Sequence, residues 1–198
     1  LSTWLAVRYL DLRSFWSLGI SADRTWFRET CVGFAMGGVV MAVIFLSQLL
    51  LGWIDFTGYG WQRAGSDLYP LPLLASLAGM LLVGFYEELV FRGYQITNMV
   101  EGFSTPQQGN PRRAVAWAIL LSSALFGIMH AGNPNAGIIS TVNIILAGPV
   151  LALPYLVTGS LALSVGLHAS WNFFQGAVFG LPVSGRALRG SLLQVQET

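Results

Sequence analysis

Of the chain's 198 residues, 54% are hydrophobic and only 10% are charged, where a soluble domain carries about 25% charge. That deficit, with long uncharged runs, excludes an ordinary soluble domain and predicts an all-α polytopic transmembrane helix bundle around one core. A net charge of +1 makes no case for a nucleic-acid partner, and the single cysteine, Cys31, rules out an intrachain disulfide and a cysteine-based zinc site.

Residues 1–30 mix Trp4, Tyr9, Phe15, Trp16, Trp26 and Phe27 with Arg8, Arg13, Arg24 and Arg28. Aromatic rings at headgroup level and snorkelling arginines are the chemistry of a membrane interface, so this stretch reads as an interfacial segment, the end of a span lying upstream. Cys31 to Ile54 is the first span, about 20 apolar residues being enough. Cys31 reads there as a small buried residue, and Gly33, Gly37 and Gly38 suit close helix packing. Asp55 to Pro70 reads as a loop, and Leu71 to about Val100 as one long helix. Glu101 to Arg113 is a Pro- and Gly-containing surface loop. Ala114 to His130 spans again. After a turn at Ala131 to Asn135, so does Ala136 to Val157, where Pro149 and Pro154 are expected to introduce kinks. Beyond the turn Thr158-Gly159-Ser160, Leu161 to Leu181 forms the last of five spans, leaving residues 182–198 as a C-terminal tail. The arginines before the first span, with Arg112 and Arg113, assign those two loops to the cytoplasmic side, while Arg186 and Arg189 oppose that orientation.

Inside this apolar chain sit two adjacent carboxylates, Glu87 and Glu88, followed one helical turn later by Arg92. A charge at membrane depth costs about 2.5–3.5 kcal/mol even on insertion scales, so the pair marks a functional site. Glu88 and Arg92 stand at i, i+4 with the acid first, the better orientation for pairing. Glu87 lies about 100° round the helix and need not share that partner, which leaves it as the candidate general base. An ion pair that merely locks two helices is the plainer reading of the three residues alone. Both histidines of the chain then join them, His130 at the end of one apolar span and His168 in another, with Asn172 one turn beyond His168. Packed in one bundle, Glu87, His130, His168 and Asn172 can converge on one polar cavity. Two chemistries suit that set. A zinc-type divalent site would take Glu87 or Glu88 with His130 and His168, although neither His-x-x-x-His nor Glu-x-x-His spacing occurs. A route that requires no cofactor has Glu87 and His130 activating water while His168 and Asn172 donate to an oxyanion.

The elements Glu87-Glu88-x-x-x-Arg92, Phe126-x-x-x-His130 and His168-x-x-x-Asn172 resemble, in this order, the CAAX protease and bacteriocin-processing family, also called Abi, which includes the type II CAAX prenyl endopeptidases. The resemblance covers roughly Leu71 to Leu181. It implies a multi-helix bundle with an intramembrane active site, Glu87 as catalytic glutamate, His130 as its water-binding partner, His168 and Asn172 as the oxyanion pair, and Glu88 with Arg92 in support. It does not carry a prenylated CAAX substrate over to a bacterial chain.

The expected activity is that of a glutamate-type intramembrane endopeptidase in the cytoplasmic membrane of a bacterium, acting on a peptide or protein substrate within the lipid bilayer, alone or with other membrane subunits. The alternative is a non-catalytic membrane subunit of the same fold that stabilises a larger complex. A transporter would need polar groups along a whole path, and here they form one cluster. Depth is the difficulty. At 1.5 Å per residue Glu87 lies about 20 Å from one end of its span and His168 only about 12 Å from Ser160, so straight spans would not bring them level. Tilt, kinks or a re-entrant turn near Thr158 would close that gap.

Overall fold

The computed structural model describes residues 1–64, 70–104, 110–188 and 190–198. Helix α1 (Ser2–Leu5) runs on through a wide turn at Ala6–Leu10 and leads, past a tight turn at Phe15–Leu18, into α2 (Arg24–Leu50). Strand β1 (Ile54–Tyr59) and the short α3 (Gly60–Ala64) follow. Helix α4 (Pro70–Glu88) continues without a break through wide turns at Leu89–Ile96 into α5 (Thr97–Phe103). Then come α6 (Pro111–His130), α7 (Ile138–Thr158), α8 (Ala162–Asn172) with a wide-turned extension Phe173–Val178, and β2 (Leu193–Glu197).

Four of these helices are long and apolar enough to cross a membrane: Arg24–Leu50, Pro70–Phe103, Pro111–His130 and Ile138–Thr158. The chain is thus an α-helical membrane bundle. The expected fifth span is different in kind. Helix α8 is the centre of the molecule, with Ala162 and every residue from Ser164 to Ser170 buried. It packs most extensively on α2 and α4.

Small residues allow that burial. A Cβ on Gly33 or Gly37 of α2 would overlap Leu163 or Ser170 of α8, and one on Gly166 of α8 would overlap the Thr30 carbonyl. The two backbones therefore meet directly, as small residues allow helices to do in lipid. Cys31, on the same helix, is exposed rather than buried, because the small-residue face turns inward and Cys31 falls outside it.

The α8 N-terminus is covered as well. The Leu161 N–H donates to the Gly19 carbonyl at 2.8 Å, and Leu18, Leu161 and Val7 are fully buried in one cluster with Leu89 and Val165. A segment that reads as interfacial thus sends Val7 and Leu18 into the bundle, and α8 begins beneath it. Arg13 ties the segment down by a bidentate pair with Glu101 at 2.8 and 2.6 Å.

Three further expectations are corrected. The first span starts at Arg24, where the Asp23 carboxylate accepts from the Trp26 N–H and caps α2. The supposed loop from Asp55 contains β1, and the C-terminal tail contains β2. The two strands pair antiparallel from Ile54↔Glu197 to Tyr59↔Leu193, with an irregularity between Phe56 and Gly58. Alternating chain would be unstable alone, and here Ile54, Leu193 and Val195 pack on Met41, Phe45 and Leu181. Pro149 and Pro154 both lie inside helix α7. Arg189, residues 105–109 of the loop expected from Glu101 to Arg113, and residues 65–69 of the loop expected from Asp55 to Pro70 lie outside the described residues.

Candidate active site

Glu87 and Glu88 end α4, just where its turns widen. Both carboxylates are buried, Glu88 at 0% exposure, and Arg92 is at 1%. Arg92 Nη1 lies 3.0 Å from Glu88 Oε1. That contact is an ion pair without hydrogen-bond alignment, because Nη1 has no hydrogen-bond partner. The guanidinium is aligned elsewhere: Nη2 donates to the Gly148 carbonyl of α7 at 3.1 Å, and its carbon lies 4.7 Å from the centre of the Phe126 ring. Arg92 therefore joins α4, α6 and α7 while holding Glu88.

His168 reaches the pair from α8. Its Nδ1 lies 2.7 Å from Glu88 Oε1 and its Nε2 lies 3.5 Å from Glu87 Oε2. A carboxylate paired with arginine accepts, so Nδ1–H donates and the tautomer is set, with Nε2 turned toward Glu87. Helix α8 thus brings His168 level with Glu87 and Glu88, its start at Leu161 buried beneath the Gly19 segment.

The structure also fixes what each remaining residue touches. His130, half-buried at the end of α6, has its Nδ1 2.7 Å from the Phe126 carbonyl of its own helix. Its ring centre lies 4.7 Å from that of Phe126, which in turn stands 5.9 Å edge-on from His168. Phe126 thus contacts His130, Arg92 and His168 alike. Asn172 is half-buried one turn beyond His168. The carboxylates and His168 are directly connected; His130 joins them through an aromatic ring.

Two participants were not singled out from sequence. Tyr86 donates its hydroxyl to Glu87 Oε1 at 2.9 Å, and Gly148 supplies a carbonyl to Arg92; Phe126, named from sequence only as part of the His130 motif, supplies a ring that contacts both histidines. Adjacency to Glu87 was the only signal for Tyr86. Gly148 offered none beyond being glycine, where a Cβ would overlap Ser123. Ser122 behaves as an interface residue, its hydroxyl donating to the Phe91 carbonyl at 2.9 Å.

Among the described residues no group of three or more His, Cys, Asp or Glu side chains is arranged to hold a metal ion. The donors in question face other groups: Glu88 Oε1 faces Arg92 and His168, and the Nδ1 of His130 faces a carbonyl.

The chain is similar to the uncharacterized protein YyaK of Bacillus subtilis (strain 168), with 26% identity over 178 residues, 86% of this chain and 54% of that protein. It therefore spans about half the length of the curated relative it matches. No solved structure matches it. The model of the type II CAAX prenyl endopeptidase Rce1-like family matches residues 69–174. That stretch is more than half of the chain and contains Tyr86, Glu87, Glu88, Arg92, Phe126, His130, Gly148, His168 and Asn172. Four membrane-length helices around a buried carboxylate–imidazole cluster, and a family model laid over that cluster, make this chain a membrane protein of the type II CAAX prenyl endopeptidase Rce1-like family.

Proposed function

We propose that the chain is an intramembrane endopeptidase of glutamate type, hydrolysing a peptide bond of a peptide or protein at the membrane. The observation that carries this reading is the approach of Glu87 and His168, from two helices, to 3.5 Å inside an apolar enclosure while Arg92 holds the neighbouring carboxylate. Glu87 accepts a proton as water oxygen adds to the peptide carbonyl carbon, with His130 as the second group on that water. His168 Nε2, once the ring carries a second proton beside the one on Nδ1, and Asn172 donate to the oxyanion that forms. The C–N bond then breaks, and the proton on Glu87 passes to the leaving amine. Glu88 and Arg92 keep the His168 ring in its orientation. No step requires a metal. The relative from Bacillus subtilis supports the cytoplasmic membrane of a bacterium as the location.

The test is cleavage by purified protein in proteoliposomes, with membrane-anchored peptides carrying a fluorophore and quencher as probes and mass spectrometry to locate the cut. Glu87→Gln and His130→Ala are expected to lower kcat by at least about a hundredfold. Unchanged cleavage in both would sink the proposal.

A further inference from the structure

We propose that Tyr86 is a positioning residue for Glu87, holding its carboxylate from the outer face of α4. This rests on the reading of Glu87 as the general base.

Exposure falls steeply along three successive residues: Tyr86 is 52% exposed, Glu87 8% and Glu88 0%. Successive residues are about 100° apart on a helix, so the series turns from the surface into the cluster. The hydroxyl of Tyr86 nevertheless folds back to donate to Glu87 Oε1 at 2.9 Å. The other oxygen, Oε2, faces His168 Nε2 at 3.5 Å. Each oxygen of Glu87 thus has its own partner, one from the exposed Tyr86 and one from the buried His168.

The inner contact is the longer one. Glu87 has three side-chain torsions and feels the charge of a full cation, Arg92, already paired with Glu88. Without an outer anchor, the Glu87 carboxylate is free to swing toward that guanidinium, away from any substrate approaching from the exposed side. A phenol hydroxyl on a carboxylate is a charge-assisted bond, stronger than a neutral one, and it opposes the swing. A plainer reading is that a tyrosine hydroxyl facing lipid needs some acceptor, and Glu87 is the nearest. That reading predicts a change in stability alone; positioning predicts a change in kcat.

The experiment uses the full chain in proteoliposomes with glutamate labelled with 13C at the side-chain carboxyl carbon. The five glutamates are Glu29, Glu87, Glu88, Glu101 and Glu197, and Glu87→Gln identifies the Glu87 signal. In Tyr86→Phe that signal moves and the others hold. With a quenched fluorescent peptide anchored in the same vesicles, Tyr86→Phe lowers kcat about tenfold and leaves KM within about twofold. Added to Glu87→Gln, it causes no further loss. An unmoved Glu87 signal, or a changed KM with kcat intact, overturns the proposal. A Glu87 signal that moves while Glu87→Gln cleaves like the wild type overturns the base reading and leaves the tether standing.

Discussion

At the scale of single residues, the site is a problem of burying charge. Glu88 and Arg92 are enclosed at 0% and 1% exposure. Removing one member of such a pair strands the other in a medium that cannot solvate it. Arg92→Met is therefore expected to destabilise the protein by about 3–5 kcal/mol. Arg92→Lys should not restore it, because an ammonium cannot reach Glu88 and the Gly148 carbonyl while stacking on Phe126. Thermal unfolding in one detergent checks both variants. Glu88→Gln tests a separate point. It keeps the shape but weakens the acceptor that sets the His168 tautomer, so the 15N signals of the His168 ring should move and those of His130 should not. Only two histidines have to be resolved.

At the scale of elements, α8 decides what the bundle can do, and the face α2 offers it decides whether α8 can be central. Gly37→Leu would push α2 off α8 and is expected to cost at least about 1–3 kcal/mol, as overpacking does. Gly79, inside α4, has open space where a Cβ would go. Gly79→Ala is therefore expected to be neutral or to stabilise by about 0.5–1 kcal/mol. Melting temperatures of the two variants, one falling and one not, separate packing from helix propensity. At the start of α2, Asp23 accepts from the Ser21 hydroxyl and the Trp26 N–H, which hold its carboxyl below the usual range. A depressed folded value means that the cap stabilises above the unfolded value and stops doing so as pH falls through the folded one. The melting temperatures of wild type and Asp23→Ala should differ at neutral pH and converge in acid.

At the scale of the whole molecule, distant stretches of chain close over the bundle. The segment around Leu18 and Gly19 covers the start of α8, and β2 returns from the C-terminus to pair with β1 beside the end of α2. Deleting residues 191–198 removes β2 and uncovers Ile54 and its neighbours. Limited proteolysis of that variant should cut first near β1, while the 13C signal of Glu87 stays in place. That outcome would set the sheet apart from the Gly19 segment, which covers the start of α8.

Much of this was legible beforehand, for identifiable reasons. Long uncharged runs have few outcomes in water, so the helical membrane class followed from composition. The Glu88–Arg92 pair followed from i, i+4 geometry, which is local. Motif order pointed to the family. What failed was non-local. The strands at Ile54–Tyr59 and Leu193–Glu197 carry no strong pattern, since each depends on a partner more than 130 residues away. The central place of α8 was not legible, because apolarity suits lipid and protein interior equally. Cys31 was read as buried because periodicity alone did not show which face of α2 the glycines would turn inward.

The amino-acid sequence by itself determined the solvent this protein lives in, its helices, and a small inventory of polar groups too costly to be accidental. Only the tertiary structure decided their company: His168 against both glutamates, Arg92 across to Gly148, Phe126 against both histidines, and Tyr86 on the outer oxygen of Glu87. Burial cost is a property of each residue and can be read along the chain. Partnership is a property of packed surfaces, and those exist only once α8 is enclosed.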